Sequence, residues 1–146
     1  MIPSFFVGHT YYWGDIHLKN LGSERGNKIS PVNTAGKMGL IYNFHQDSPV
    51  TKPNMLHSVW CAVNRETRMG KETGKDERVS VYDALKAVTI NAAYAYFEEA
   101  EKGTIEVNKK ADFVILDANP LTVAPYDIKD ISVLKTIKDD EVVWSK

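Results

Sequence analysis

The chain has 146 residues, a formal net charge of −1, 43% hydrophobic residues and 25% charged residues. This composition is typical of a globular protein, and the scattered lysines and arginines exclude a basic surface for nucleic acid. No apolar run approaches the roughly 20 residues that span a bilayer, so we expect no membrane partner. The single cysteine, Cys61, excludes an intrachain disulfide and favours a reducing, cytoplasmic location.

The first predicted element is a buried strand over the apolar residues 2–7. A strand that is apolar on both faces is typical of a parallel sheet covered on both sides, which needs crossover partners. Because this strand begins almost at the first residue, we expect the sequence to be the tail of a longer polypeptide. A polar, glycine-containing segment, residues 8–31, then predicts a long loop that leads into a short helix near residues 32–37.

A second apolar strand, residues 39–44, ends at His45 and Asp47. Two interpretations of this pair are open. In the first, Asp47 is an Asx-turn residue that accepts a backbone N–H from the turn at Ser48 and Pro49, and His45 is a structural neighbour. In the second, the strand period of two puts His45 and Asp47 on one face at the strand end, where a metal ion or a substrate could be held.

Two helices are predicted with caps. Asn54 caps a helix whose apolar positions follow the spacing of one buried face, and they are Leu56, Val59, Trp60 and Val63. His57 lies beside that face and is expected at the surface, whereas Cys61 is expected to be a small buried apolar residue. Residues 65–79 predict a solvated, mobile linker, and Ser80 with Asp83 forms a capping box for the next helix.

The last third of the chain predicts strands. Thr89 starts a short helix with a stripe of Ile90, Tyr94 and Phe97, which Gly103 should stop. Strands follow at residues 104–107 and 111–117, and residues 132–137 turn through residues 138–141 into a hairpin with residues 142–144. The order of elements predicts an α/β fold in which parallel strands carry active loops at their C-terminal ends.

Four stretches carry a family resemblance: GHTYYWGDIH at residues 8–17, FHQDSPV at 44–50, the TINAAYA helix with KGTIEVNKKADFVILDANPL, and IKDISVLKTIKDDEVVW at 128–144. Together they resemble the C-terminal part of the amidohydrolase superfamily, and more narrowly the branch that includes N-substituted formamide deformylase. That resemblance implies the last strands and helices of a TIM barrel with active-site loops over residues 1–70. It further implies a linker and helices closing the barrel over 71–103, and part of a small β-sandwich over 104–146.

The resemblance also implies site residues. Asp47 matches the aspartate that ends the eighth barrel strand, which ligates or adjoins a divalent metal, usually zinc, and handles the proton. His9, Tyr11 and Trp13, with Asp15 and His17, match a loop motif expected to shape the substrate pocket, although these aromatics could instead pack the loop down. For His45, which the family does not fix, a supporting role is expected rather than ligation of the metal.

The sequence departs from the family in lacking a His-x-His motif and the ligands of the other strands, so most metal ligands are absent. We therefore expect the chain to be the C-terminal portion of a metal-dependent hydrolase of non-peptide C–N bonds, inactive alone and without stably bound metal. Its substrate would be a small amide or formamide. The alternative is a non-catalytic, β-rich binding or assembly module, because exposed strands favour association with another copy of the chain.

Overall fold

Two parallel strands form the first sheet, with Ser4–Phe5 (β1) paired in register with Asn43–Phe44 (β2). The computed structural model describes residues 1–146 and is a mixed α/β structure. The predicted parallel pairing is confirmed, although both strands are shorter than the apolar runs that predicted them. Backbone hydrogen bonds from Asn43 to Pro3 (3.1 Å) and from His45 to Phe5 (3.1 Å) extend the pairing beyond the strands.

The long loop predicted for residues 8–31 is wrong, because most of that segment is helical. Helix α1 spans His9–Tyr12, α2 spans Gly14–Gly26, and the predicted short helix is present as α3, Val32–Lys37. Gly22 has a φ of 75°, which divides α2 at a kink. Glycines and the lack of an apolar period hid α2 from sequence analysis, since its position depends on contacts with distant residues such as Thr67, which lies against Gly14.

The predicted Asn54 helix is present as α4, Met55–Asn64, and the side chain of Asn54 accepts the N–H of His57 at 3.1 Å. Cys61 is fully buried in the core, as predicted. The expectation of a surface position for His57 is wrong. Its half-buried ring contacts Tyr11 and Trp60, with ring centroids 5.0 and 6.0 Å apart. His57 is covered because α1 packs against the side of α4 that the apolar spacing had predicted to face solvent.

The predicted mobile linker, residues 65–79, is packed into the protein. Four of its polar side chains are buried, namely Arg65, Thr67, Thr73 and Glu77. A short 3-10 helix, Lys75–Glu77, precedes the extended residues that lead to the next α-helix. The polar composition suggested solvation, whereas Arg65 and Glu77 form hydrogen bonds to backbone groups of residues 29, 30 and 34.

Helix α5, Val81–Ala87, begins at the predicted cap, where the Ser80 hydroxyl accepts the N–H of Asp83 at 3.1 Å. Helix α6, Ile90–Ala95, ends earlier than predicted. The expected stripe is wrong at Tyr94, which is exposed, and at Phe97, which is 87% exposed with a φ of 61°. Ala93 is the buried residue of α6 instead, because the chain turns away at Tyr96 before a further helical turn can form.

The second sheet is antiparallel with the order β3, β4, β5, which span Phe113–Leu116, Val133–Lys138 and Glu141–Ser145. The predicted hairpin is confirmed, and its turn places Asp139 and Asp140 in the left-handed region. A 3-10 helix, Pro125–Asp130, joins β3 to β4. The strand predicted at 104–107 is wrong, because those residues meet no partner strand and turn at Asn108, whose φ is 71°.

The core lies between the first sheet and the helices. It contains Val7 and Phe44 with residues of α3, α4 and α5, and Ile128 of the second 3-10 helix. No helix has the length and apolarity needed to cross a membrane.

Candidate functional site

The C-terminal ends of β1 and β2 define the candidate site. Because the strands are parallel and in register, the residues after Phe5 and those after Phe44 emerge at the same edge of the sheet. His9 follows β1, and His45 and Asp47 follow β2. The C-terminal edge of parallel strands is where α/β proteins commonly carry their ligand-binding and reactive groups.

An aromatic cluster lies at this edge around Phe6. The Phe6 ring contacts the rings of His9, His45 and Trp13, with centroids 4.6, 5.4 and 6.0 Å apart. His9 also contacts Trp13 at 4.9 Å and stacks on His17 at 5.6 Å with an interplanar angle of 9°. The structure therefore brings four of the candidate residues together, namely His9, Trp13, His17 and His45.

Electrostatic coupling connects His9 to Asp47. Burial lowers the pKa of His9 below its ordinary value, and the charges of His17 and His45 act in the same direction. The negative charge of Asp47 opposes these effects by raising the His9 pKa. An imidazole with a lowered pKa remains neutral at physiological pH, so it can either donate or accept a hydrogen bond there.

Asp47 is exposed, with a φ of 50°, at the tip of a turn. The N–H of Val50 donates to the main-chain carbonyl of Asp47 at 2.8 Å, and no backbone N–H bonds to the carboxylate. The Asx-turn interpretation is therefore not what the structure contains. The Asp47 side chain is exposed at the edge of the sheet.

Gln46 supports this turn and was missed by sequence analysis. The side-chain amide nitrogen of Gln46 donates to the Asn54 carbonyl at 2.6 Å and to the Ser58 hydroxyl at 2.5 Å. The main-chain carbonyl of Gln46 accepts a hydrogen bond from the Thr51 hydroxyl at 2.7 Å. The strand period of two offered a signal, because it puts Gln46 on the face opposite His45 and Asp47, towards α4. A buried glutamine there needs partners, and it finds them on the residues that begin α4.

Tyr11 and Asp15 lie away from the cluster. The Tyr11 ring contacts Trp60 at 5.6 Å, in addition to His57. Asp15 forms an ion pair with Lys71 at 3.4 Å. Burial raises the pKa of Asp15, but hydrogen bonds from Thr67 and Lys71 outweigh it and leave the pKa below its ordinary value. Both side chains connect α1 and α2 to other parts of the protein.

The side chains of this chain do not form a metal site by themselves. No three histidine, cysteine, aspartate or glutamate side chains converge closely enough to hold a metal ion. The three histidines of the cluster pack as rings against Phe6, Trp13 and each other. A metal of the kind that the resemblance implies would need ligands in addition to those present in residues 1–146.

Comparison with known proteins identifies the class. The amidohydrolase family model Amidohydro_3 matches residues 1–144, and the chain belongs to this family. Relatives include the N-substituted formamide deformylase of Arthrobacter pascens, which is 31% identical over 133 residues, covering 90% of this chain and 24% of the relative. The protein LONG AFTER FAR-RED 3 of Arabidopsis thaliana is 38% identical over 138 residues, covering 93% and 24%.

Solved structures agree on the fold. An amidohydrolase from Thermotoga maritima superposes with a TM-score of 0.61 at 21% identity, covering 79% of this chain and 26% of that structure. The 5-methylcytosine deaminase of Klebsiella pneumoniae gives a TM-score of 0.59 at 22% identity, covering 84% and 28%. The chain thus spans about a quarter of the length of each of these four proteins.

Proposed function

We propose that this chain supplies part of the active site of a metal-dependent amidohydrolase that hydrolyses non-peptide C–N bonds in small amides or formamides. The observation that carries the proposal is the parallel register of β1 and β2, which brings His9 and Asp47 to one edge of the sheet. The similarity to an N-substituted formamide deformylase supports a C–N bond as the target.

We also propose an architecture for the complete protein. Residues 1–70 correspond to the last two strands and helices of a (β/α)8 barrel, and residues 71–103 close it. Residues 104–146 contribute to a composite β-sandwich. The parallel pair β1 and β2 supports the first assignment, and the separate antiparallel sheet of β3, β4 and β5 supports the last.

Asp47 is the proposed proton carrier. Its exposed carboxylate can accept a proton from the water that attacks a carbonyl carbon, and can then deliver that proton to the departing nitrogen. Protonation matters because an amine leaves poorly as an anion. We assign substrate contact to His9 and Trp13, which meet at the sheet edge, whereas Tyr11, expected with them from sequence, lies against α4 and would support α1.

The proposal extends to the cofactor and location. We propose a divalent metal, with zinc as the expected ion, for which Asp47 is the one ligand in this chain and other ligands come from outside residues 1–146. Bound metal would supply an acidified water. On this view the isolated chain is inactive. We propose a cytoplasmic location, with which a cysteine that forms no disulfide, Cys61, is compatible.

The test is an Asp47→Asn substitution in the complete reading frame that contains this chain. Asparagine keeps the shape and tolerates the left-handed backbone, so folding should persist while release of amine from an N-substituted formamide falls about 10²- to 10⁴-fold. Asp140→Asn is a matched control, because Asp140 is also an exposed, left-handed aspartate but lies in the β4–β5 turn. Equal activity of both variants would contradict the proposal.

One observation favours the alternative of an assembly module. Strand β5 is an edge strand, and its apolar side chains are about half exposed or more, namely Val142, Val143 and Trp144. Such an edge favours pairing with another chain. Sedimentation of the 146-residue chain tests this function. A dimer that the double variant Val142→Lys with Trp144→Lys disrupts supports assembly, and a monomer at high concentration opposes it.

A further inference from the structure

We propose that Arg65 is a positioning residue that holds the helical segment over the candidate site. The helical segment is residues 8–31, which carry His9, Trp13 and His17. The brace is residues 65–77, which follow α4. This inference rests on the proposed function only for its catalytic consequence, because the contacts between the two segments exist independently of any reaction.

Arg65 is fully buried and donates three hydrogen bonds to carbonyl groups of the backbone. Its Nε donates to Thr73 at 2.9 Å, its Nη1 to Ser30 at 3.1 Å and its Nη2 to Ile29 at 2.7 Å. One acceptor lies in the brace and two lie at the end of the helical segment. The planar guanidinium is the side chain whose donors can reach such separated acceptors at once.

The buried charge points to a positioning role. Burial lowers the pKa of Arg65 to about 10, so the group remains charged at neutral pH, and Glu77 opposes that shift. A buried charge adds little to stability compared with a well-packed apolar side chain, because its desolvation offsets its hydrogen bonds. The guanidinium instead fixes the positions of the Ile29 and Ser30 carbonyl groups relative to the Thr73 carbonyl group.

Other contacts join the brace to both ends of the helical segment. At the far end, the Asn27 side-chain oxygen accepts the N–H of Gly74 at 2.8 Å. At the near end, the N–H of Arg68 donates to the Tyr11 carbonyl at 2.8 Å, and Lys71 pairs with Asp15. The helical segment is therefore held at its start and its end by one short stretch of chain.

A contact path leads from Arg65 to the candidate site. The hydroxyl of Ser30, whose carbonyl Arg65 holds, donates to the Phe6 carbonyl at 3.5 Å. The Phe6 ring contacts His9, Trp13 and His45. Releasing Ser30 should therefore loosen the end of the helical segment and the aromatic cluster, while the near end remains attached through Tyr11 and Asp15.

The test compares Arg65→Met with Arg65→Lys and with the control Arg78→Met in the 146-residue chain. The Arg78 side chain donates its hydrogen bonds to Asn64 and Glu72, and not to the helical segment. In Arg65→Met we expect amide exchange over residues 23–30 to accelerate at least about tenfold. We also expect the His9 pKa, followed by NMR, to rise towards its ordinary value as burial is lost. Arg65→Lys should give smaller changes, and Arg78→Met none.

A second variant covers the case in which Arg65→Met does not fold. Asn27→Ala removes only the bond to Gly74, and it should accelerate exchange over the same residues without abolishing the unfolding transition. Unchanged exchange and an unchanged His9 titration in the folded variants would overturn the inference. In the complete reading frame, Arg65→Lys should raise KM more than it lowers kcat. Full activity of Asp47→Asn would refute the proposed function alone, because exchange and titration still decide the role of Arg65.

Discussion

His9 and Asp47 follow different strands, yet they share one electrostatic environment. The charge of Asp47 raises the His9 pKa, against burial and two neighbouring histidines that lower it. Asp47 itself lies on an exposed turn without a hydrogen bond from a backbone N–H to its carboxylate. The parallel strands therefore place an imidazole and an exposed carboxylate at the same edge of the sheet, where we propose that His9 contacts the substrate and Asp47 transfers the proton.

Gln46 should stabilise the turn that carries Asp47. Gln46→Ala removes the donor to the Ser58 hydroxyl and leaves the Asn54 carbonyl with only the N–H of Ser58, at 3.3 Å, so we expect the free energy of unfolding to fall by about 1–3 kcal/mol. Urea unfolding measures the loss. Asn20→Ala is the control, because Asn20 is exposed on α2, and its substitution should change the stability by less than about 0.5 kcal/mol. Equal effects of the two substitutions would contradict a supporting role for Gln46.

The elements that were predictable from the sequence are those that local chemistry decides. Asn54 and Ser80 have side-chain oxygens that accept backbone N–H groups three residues later, so helix starts at these positions were predictable. The β4–β5 hairpin was predictable for a similar reason, because Asp139 and Asp140 tolerate the left-handed turn between two apolar runs. These features depend on neighbours along the chain.

The elements whose structure depends on residues distant in the chain were not predictable from the sequence. Helix α2 contains three glycines and depends on the brace, and residues 65–77 are ordered by bonds from Arg65 to Ile29 and Ser30. The residues of the candidate site likewise fall into a group that was predictable from the sequence and a group that was not. The strand period predicted His45 and Asp47 at one strand end, but only the fold brings His9 and His17 beside them.

Gly74 should be far more sensitive to substitution than Gly70. Both have positive φ, 64° and 76°, so alanine at either position costs about 1–2 kcal/mol in backbone strain. At Gly74 an added Cβ would also lie 2.0 Å from the Asn27 carbonyl oxygen and 2.6 Å from Arg65 Nη2, whereas at Gly70 nothing lies within 4 Å. We expect Gly74→Ala to cost more than about 3 kcal/mol in urea unfolding, because the brace must separate from the helical segment. Similar losses for both variants would contradict this packing.

His57 should make stability depend on pH. Burial lowers its pKa from the ordinary value of 6.5, and the charge of Lys129 lowers it further. Because the folded state then binds fewer protons than the unfolded state, this contribution to stability is complete above about pH 6.5 and is lost as the pH falls towards the folded pKa. His9 acts in the same direction, so replacing His57 should reduce the loss without abolishing it.

The measurement is urea unfolding of the wild-type chain and of His57→Phe at about pH 7.5 and about pH 5.5, on either side of the ordinary histidine pKa. Phenylalanine retains an aromatic ring between Tyr11 and Trp60. We expect the wild-type chain to lose more stability than His57→Phe between the two pH values. A Lys129→Met variant separates charge from burial, because it should raise the His57 pKa observed by NMR while leaving the ring buried. Equal losses in the wild type and His57→Phe would mean that His57 titrates alike in the folded and unfolded chains.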